Sequence, residues 1–271
     1  MSIITLLTDF GLKDAYVGLM KGVMLSINPS AVIIDLTHHV APHDLTQAAF
    51  IINSSYRYFP AGTVHVIVVD PGVGSRRSIV VVRMMGHTFL APDNGILTLL
   101  IDKADIDAMV RVENSDYFLE SVSQTFHGRD IFAPVGAHIS LGIDLNVLGM
   151  PIANKNGLVR MNIPKPYVSG QNELVGSVIS IDRFGNCITN IDSECLERFC
   201  RAGALKKLQI VFRQSKIDGV SKNYESAGPQ SPLAVIGSSG YLEIAVNCGS
   251  ARRYFGIEKG DSVRLIISDQ L

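Results

Sequence analysis

The chemistry this chain could perform is carried by a few short polar clusters. In Asp70-Pro71-Gly72-Val73-Gly74-Ser75-Arg76-Arg77 a carboxylate closes an apolar run and a guanidinium, Arg77, follows a tight turn. A β-turn accounts for Pro71 and Gly72, but not for the two charges. His127, in Phe126-His127-Gly128-Arg129-Asp130, sits beside a glycine just ahead of an apolar segment, where a loop-end histidine can act as acid or base. Asp9, in Thr8-Asp9-Phe10-Gly11, follows a strand-like run; it can hold a vicinal diol or cap a helix. Asp182-Arg183-Phe184-Gly185-Asn186 offers a carboxylate, an aromatic face and an amide that together suit a purine, or else a β-turn with a packed Phe. The small-residue loop Gly237-Ser238-Ser239-Gly240 suits a ligand carboxylate.

Other chemistries fit less well. No Gly-Lys-Ser/Thr follows Gly72, so the Asp70 turn is not a phosphate-binding P-loop. His127-Gly128-Arg129-Asp130 lacks the accompanying motifs of a protein kinase. His38, His39 and His43 with Asp35 and Asp44 have no recognisable metal-ligand spacing. Cys187, Cys195, Cys200 and Cys248 form no CxxC pair, so free thiols in a reducing compartment are expected.

These clusters must be placed by regular elements. Strand-like Ile3–Leu7, Ala31–Leu36, Val64–Val69, Ser78–Val82 and Thr88–Leu90 alternate at first with helix-like Tyr16–Ile27 and Leu45–Phe59. Such alternation implies an α/β unit with a largely parallel, Rossmann-like sheet, whose ligands sit beyond the carboxyl ends of the strands. Asp9, the Asp35–His38 segment and Asp70 all fall at strand ends. The Gly- and Pro-punctuated stretch 148–166 then separates a β-rich region with runs at Leu174–Ile181, Leu208–Phe212, Leu233–Ile236, Leu242–Val246 and Ser262–Ile267. Expected domains are an α/β domain, 1–160, and a small β-barrel, 161–271. The polar stretch 213–232 reads as a long hairpin or loop.

The 271 residues are 47% apolar and 18% charged, with net charge −1. That balance gives no reason to expect a nucleic-acid partner. No run approaches the ~20 apolar residues of a membrane span, and the N-terminus has no signal-peptide pattern. A cytoplasmic protein is expected.

In order and spacing, the Asp9, Asp70–Arg77, His127 and Asp182–Asn186 motifs resemble the S-adenosyl-L-methionine (SAM) hydroxide adenosyltransferases, SAM hydrolases related to fluorinase and chlorinase. The resemblance covers nearly the whole chain. It implies hydrolysis of SAM to adenosine and L-methionine, no metal or other cofactor, and a homotrimer with active sites between subunits. Asp70, Arg77 and His127 match the family's catalytic triad. Asp9 matches the ribose-diol residue, with Phe10 beside it in the pocket. Asp182 and Ser238 match positions for the methionine amine and carboxylate, and Phe184 and Asn186 match adenine contacts. Halogenating relatives carry uncharged residues at the positions of Asp70 and Arg77, which points here to water. A halogenase, or a SAM- or adenosine-binding protein with little turnover, are the alternatives. His43 departs from the pattern, standing where relatives have an aromatic. The residues alone do not choose between Asp70 and His127 as proton acceptor.

Overall fold

The computed structural model describes residues 2–170, 172–200 and 208–267. They form two compact units, Met1–Asn162 and Ile163–Leu271.

The first unit begins β1 (Ile3–Thr8), α1 (Tyr16–Ile27), β2 (Val32–Thr37), α2 (Leu45–Ser55), β3 (Val64–Val68). It continues β4 (Ile79–Met84), β5 (His87–Pro92), α3 (Thr98–Ile101), β6 (Ile106–Val112), α4 (Ala133–Ser140) and β7 (Gly149–Pro151). Its seven-stranded sheet has the order β2-β1-β3-β5-β4-β6-β7. β1 is parallel to β2 and β3, and β3 to β5. β4 runs antiparallel to β5 and β6, and β7 to β6. The sheet is therefore mostly parallel, with β4 and β7 reversed.

Period-two alternation buries both faces. Ile4, Leu6, Val64, Val66 and Val68 pack with Met20 and Met24 of α1 and Val135 of α4. Leu7, Ile67 and Phe89 pack with Ala48 and Ile52 of α2 and Leu100 of α3. The Asp44 carboxylate caps α2 by accepting from Gln47 N at 2.9 Å. Helical spacing predicts that α2 runs to Phe59, but it stops at Ser55 and tightens into a 3₁₀ turn over Tyr56–Tyr58. Phe59 precedes Pro60 and is extended (φ −100°, ψ 149°), as a residue before proline prefers.

The register of β1 on β3 pairs Thr8 with Val68. Asp9 and Asp70 therefore leave the sheet at neighbouring carboxyl ends, which is how a parallel sheet gathers a site.

The second unit contains β8 (Tyr167–Ser169), β9 (Glu173–Ile181), β10 (Cys187–Asp192), α5 (Ser193–Phe199), β11 (Leu208–Phe212) and β12 (Ser215–Asp218). β13 (Pro232–Ile236), β14 (Tyr241–Val246), α6 (Ala251–Phe255) and β15 (Ser262–Ile267) follow. Its antiparallel sheet has the order β12-β11-β15-β9-β10-β14-β13, with β8 on β9. Ser221, just past β12, bridges to Val235 of β13, so the sheet curls into a nearly closed barrel. Leu174, Val178, Ile191, Ile210, Leu242 and Val263 fill it. The start of the polar stretch 213–232 is the turn of the β11–β12 hairpin.

The cysteines are free, with Cys187 and Cys200 buried and Cys248 exposed. Burial, with lesser help from Asp182, pushes the Cys187 thiol up to about 12, so it packs as an inert apolar group. No helix among the described residues is long and apolar enough to cross a membrane.

Candidate active site

In the first unit the loop after β3 folds back on itself. Val73 N donates to Asp70 O, and both the amide and the hydroxyl of Ser75 donate to Gly72 O. Gly74 has φ +75°, and a Cβ there would lie 2.4 Å from the Gln124 carbonyl oxygen. Only glycine allows this left-handed turn to press on the segment leading to His127. Arg77 is thereby returned onto Asp70. Its Nε donates to both carboxylate oxygens at 2.9 and 2.8 Å, and its Nη2 also donates to Oδ2. Gly72 N adds a bond to Oδ1 at 3.2 Å. The side chains of Asp70 and Arg77 are only 5% and 10% exposed, so this is a desolvated, multiply bonded ion pair.

Arg77 Nη2 also lies 3.0 Å from His127 Nδ1. A guanidinium has no lone pair to offer, so Nδ1 must be the unprotonated nitrogen and the ring proton sits on Nε2. Burial, then the Arg77 charge, hold His127 below the ordinary histidine value, against opposing pulls from Asp70 and Asp130. His127 is thus a neutral imidazole presenting an Nε2–H. His127 is fixed at the start of a π-turn over Gly128–Phe132 that leads into α4. Asp130 anchors that turn by accepting from Ser123 N at 2.8 Å and Arg129 Nε at 2.6 Å.

Asp9, the loop after β1, faces the same cavity. Its Oδ2 accepts from His43 N at 2.9 Å. Behind it, Thr8 Oγ1 meets the buried His38 Nδ1 at 2.8 Å, and His38 Nε2 lies 3.0 Å from Asp35 Oδ1. Phe10, Tyr16 and Phe126 form an aromatic wall with ring centroids 5.1–5.9 Å apart. The cavity of about 400 Å³ is lined by Asp9, Phe10, Asp70, His127 and, on one side, Pro42 and His43. His43 has an exposed side chain and a left-handed backbone (φ +65°). Asp9, Phe10, Asp70 and His127, far apart in sequence, thus line one cleft of nucleoside size, with Arg77 bonded to both Asp70 and His127.

Asp182, Phe184, Asn186 and Ser238 line a second, wider cavity of about 690 Å³ in the barrel unit. Asp182 Oδ1 accepts from Phe184 N and Asn186 N, and Oδ2 from Asn186 Nδ2, all at 2.9 Å. Gly185 has φ +86°, and a Cβ there would approach Ser250 Oγ to 2.0 Å, so glycine is required at this turn. Phe184 is 75% exposed, a free aromatic face. Asn186 is buried, its amide nitrogen engaged by Asp182.

The second cavity also holds residues that the motifs did not single out, Glu243 and Tyr224. Glu243 carried a signal: it is the one charge in the apolar run Tyr241–Val246. Among the described residues no group of three or more His, Cys, Asp and Glu side chains is arranged to hold a metal ion.

Residues 4–149 match the SAM hydroxide adenosyltransferase N-terminal domain and residues 176–264 the corresponding C-terminal domain. This chain belongs to the SAM hydroxide adenosyltransferase family. A family relative from Thermus thermophilus, named (R)-S-adenosyl-L-methionine hydrolase, is 35% identical over 96% of this chain and 98% of its own. A fluorinase from Nocardia brasiliensis is 29% identical over 97% of this chain and 96% of its own. The crystal structure of an uncharacterized conserved protein from Thermotoga maritima superposes with TM-score 0.90 at 34% identity. It is matched over 97% of this chain and 99% of that one. The α/β-plus-barrel architecture is therefore shared with that protein.

Proposed function

We propose that this SAM hydroxide adenosyltransferase hydrolyses SAM to adenosine and L-methionine by in-line attack of water on the ribose C5′. The observation that carries the reading is the Asp70–Arg77–His127 array on the cleft that also contains Asp9. As the water oxygen bonds to C5′, the C5′–S bond breaks and its electron pair returns to sulfur, releasing methionine as a neutral thioether. The leaving group begins as a sulfonium, so it needs neither protonation nor a Lewis acid, and no metal or other cofactor has a part in the step.

The attacking water must lose a proton. In His127 the Nδ1 lone pair receives Arg77 and Nε2 bears hydrogen, so the imidazole is assigned to orient the water as a donor. Asp70 is assigned as acceptor. A water bonding to carbon becomes a far stronger acid than any carboxylic acid, so a carboxylate suffices as its base. Asp9 is assigned to the ribose diol with Phe10 beside it, Phe184 and Asn186 to adenine, and Asp182 and Ser238 to the methionyl amine and carboxylate.

An ionised, desolvated Asp70 repels a halide and favours neutral water, which separates this reading from that of the related fluorinase. A mere binding protein has no use for the charged array. The relatives' name specifies the R form of SAM, and the proposal includes that epimer as substrate. A homotrimer with sites between subunits, acting in the cytoplasm without nucleic-acid or membrane partners, completes the reading. Incubation of each SAM epimer in chloride buffer tests it. Equimolar adenosine and methionine, unaffected by a chelator, is expected; 5′-chloroadenosine, or bound SAM with no product, refutes it. A solution mass three times that of the chain checks the assembly.

A further inference from the structure

The cavity of the barrel unit contains a carboxylate, Glu243, that lies outside the four motifs carrying the family resemblance. Glu243 stands in the middle of β14, and its cross-strand neighbours are Ile188 on β10 and Val235 on β13. It is 7% exposed. A carboxylate held between two aliphatic neighbours is costly unless something compensates it. Among the described residues it has no salt-bridge partner, and its one hydrogen bond comes from Tyr224 OH to Oε2 at 3.1 Å. Oε1 lies over Gly237, where a Cβ would approach it to 1.8 Å, so only glycine leaves room for the carboxylate beneath the Ser238 loop. Burial, reinforced by the nearby charge of Asp182 and opposed by Tyr224, pushes the Glu243 carboxyl above its ordinary value. The site therefore gains when a cation arrives.

The remaining charges of the cavity indicate which cation. Asp182 and Glu243 are its two carboxylates and Arg253 its guanidinium. Asp182 already accepts three hydrogen bonds within its own turn, which leaves it little capacity. Glu243 accepts one. Ser239 Oγ, in the adjoining loop, is buried without a partner. Two carboxylates facing a guanidinium and a hydroxyl-bearing loop form the charge complement of a zwitterionic α-amino acid.

We propose that Glu243, oriented by Tyr224, accepts from the α-ammonium group of the methionyl portion of the substrate beside Asp182, and selects for substrates that carry it. This deepens the proposed SAM hydrolysis and rests on it for the identity of the substrate. Loss of a charge-assisted hydrogen bond in a desolvated site corresponds to roughly a ten- to hundredfold loss of affinity.

The test compares the wild type with Glu243→Gln and Tyr224→Phe, measuring kinetics with SAM and with its analogue lacking the α-amino group, and L-methionine binding by calorimetry. Glu243→Gln is expected to raise KM for SAM ten- to hundredfold with little change in kcat, to weaken L-methionine binding by a similar factor, and to leave KM for the deamino analogue unchanged. Tyr224→Phe is expected to act in the same direction by a smaller factor, and decides the matter if Glu243→Gln fails to fold. Unchanged KM and L-methionine affinity in both variants, or equal losses for SAM and the deamino analogue, overturn the proposal. L-methionine binding that depends on Glu243 in a wild type that does not hydrolyse SAM refutes the proposed function and leaves this inference standing.

Discussion

Asp70→Asn removes one charge while keeping the size of the side chain, and its consequences follow from the contacts of that carboxylate. Asparagine retains an oxygen for Gly72 N and Arg77 Nε, but places an NH₂ where Oδ2 now accepts from Arg77 Nε and Nη2. Two donors then face each other and a guanidinium only 10% exposed loses its counter-ion. Breaking a buried pair from one side costs about 3–5 kcal/mol. At about 2–4 °C per kcal/mol for a domain of this size, melting should fall by roughly 6–20 °C. Turnover should fall further than stability explains. Removal of a general base costs roughly 10²- to 10⁴-fold in kcat, while the ribose and adenine groups, and hence KM, are left largely as they were. Adenosine release measured by chromatography below the variant's melting temperature, with melting followed by circular dichroism, separates the two effects. A variant within tenfold of wild-type kcat, or one whose melting is unchanged, refutes the assignment of Asp70 as a desolvated, ion-paired base.

The neutral His127 gives the pH profile a definite sign. Its pKa is held below the ordinary value near 6.5, and a protonated Nδ1 cannot accept from Arg77. kcat/KM should be full above that depressed pKa and fall as pH drops through it, with a midpoint below about 6.5; His127→Asn should remove that limb. A second acid effect concerns stability. His65 is fully buried, with Nδ1 2.7 Å from Thr5 Oγ1 and Nε2 3.2 Å from His87 Nδ1. Burial, then the His87 charge, lower its pKa to about 3. The unfolded chain takes up this proton near 6.5 and the folded one does not. Stability should therefore be complete above pH ~6.5 and decline towards pH 3 by of order 5 kcal/mol at most, as read by denaturant titration. In His65→Phe that decline should be shallower. Gly185→Ala should destabilise the barrel unit and weaken SAM binding, because φ +86° and the 2.0 Å approach to Ser250 Oγ admit no methyl group; calorimetry reports both.

Much of the positioning frame was legible because the first unit obeys simple periodicities. α1 spans Tyr16–Ile27 as its apolar spacing predicts, and β1, β2 and β3 lie within a residue or so of the apolar runs that announce them. Less legible were β6 and α4. β6 mixes Asp107 and Arg111 with apolar residues near the edge of the sheet, and α4 is entered through a π-turn that hides its period. The reversal of β4 against β5 is marked locally by the two-residue Met85-Gly86 loop, too short for anything but a hairpin, whereas that of β7 is a tertiary pairing with no local mark. At the site, strand-end placement made Asp9 and Asp70 conspicuous. The return of Arg77 onto Asp70 required the Gly74 turn, and the protonation state of His127 required the Arg77 contact, neither of which a spacing rule contains. Glu243 was present as one charge in an apolar strand; only the barrel reveals that it faces a cavity.

The origin of one oxygen atom decides whether water attacks C5′. Turnover of SAM in ¹⁸O-enriched water, followed by mass spectrometry of both products, is predicted to give adenosine carrying one heavy oxygen at its 5′-hydroxyl and methionine carrying none. Adenosine formed without the label, or a label found in methionine instead, would contradict attack by water at C5′ and with it the roles given to Asp70, Arg77 and His127.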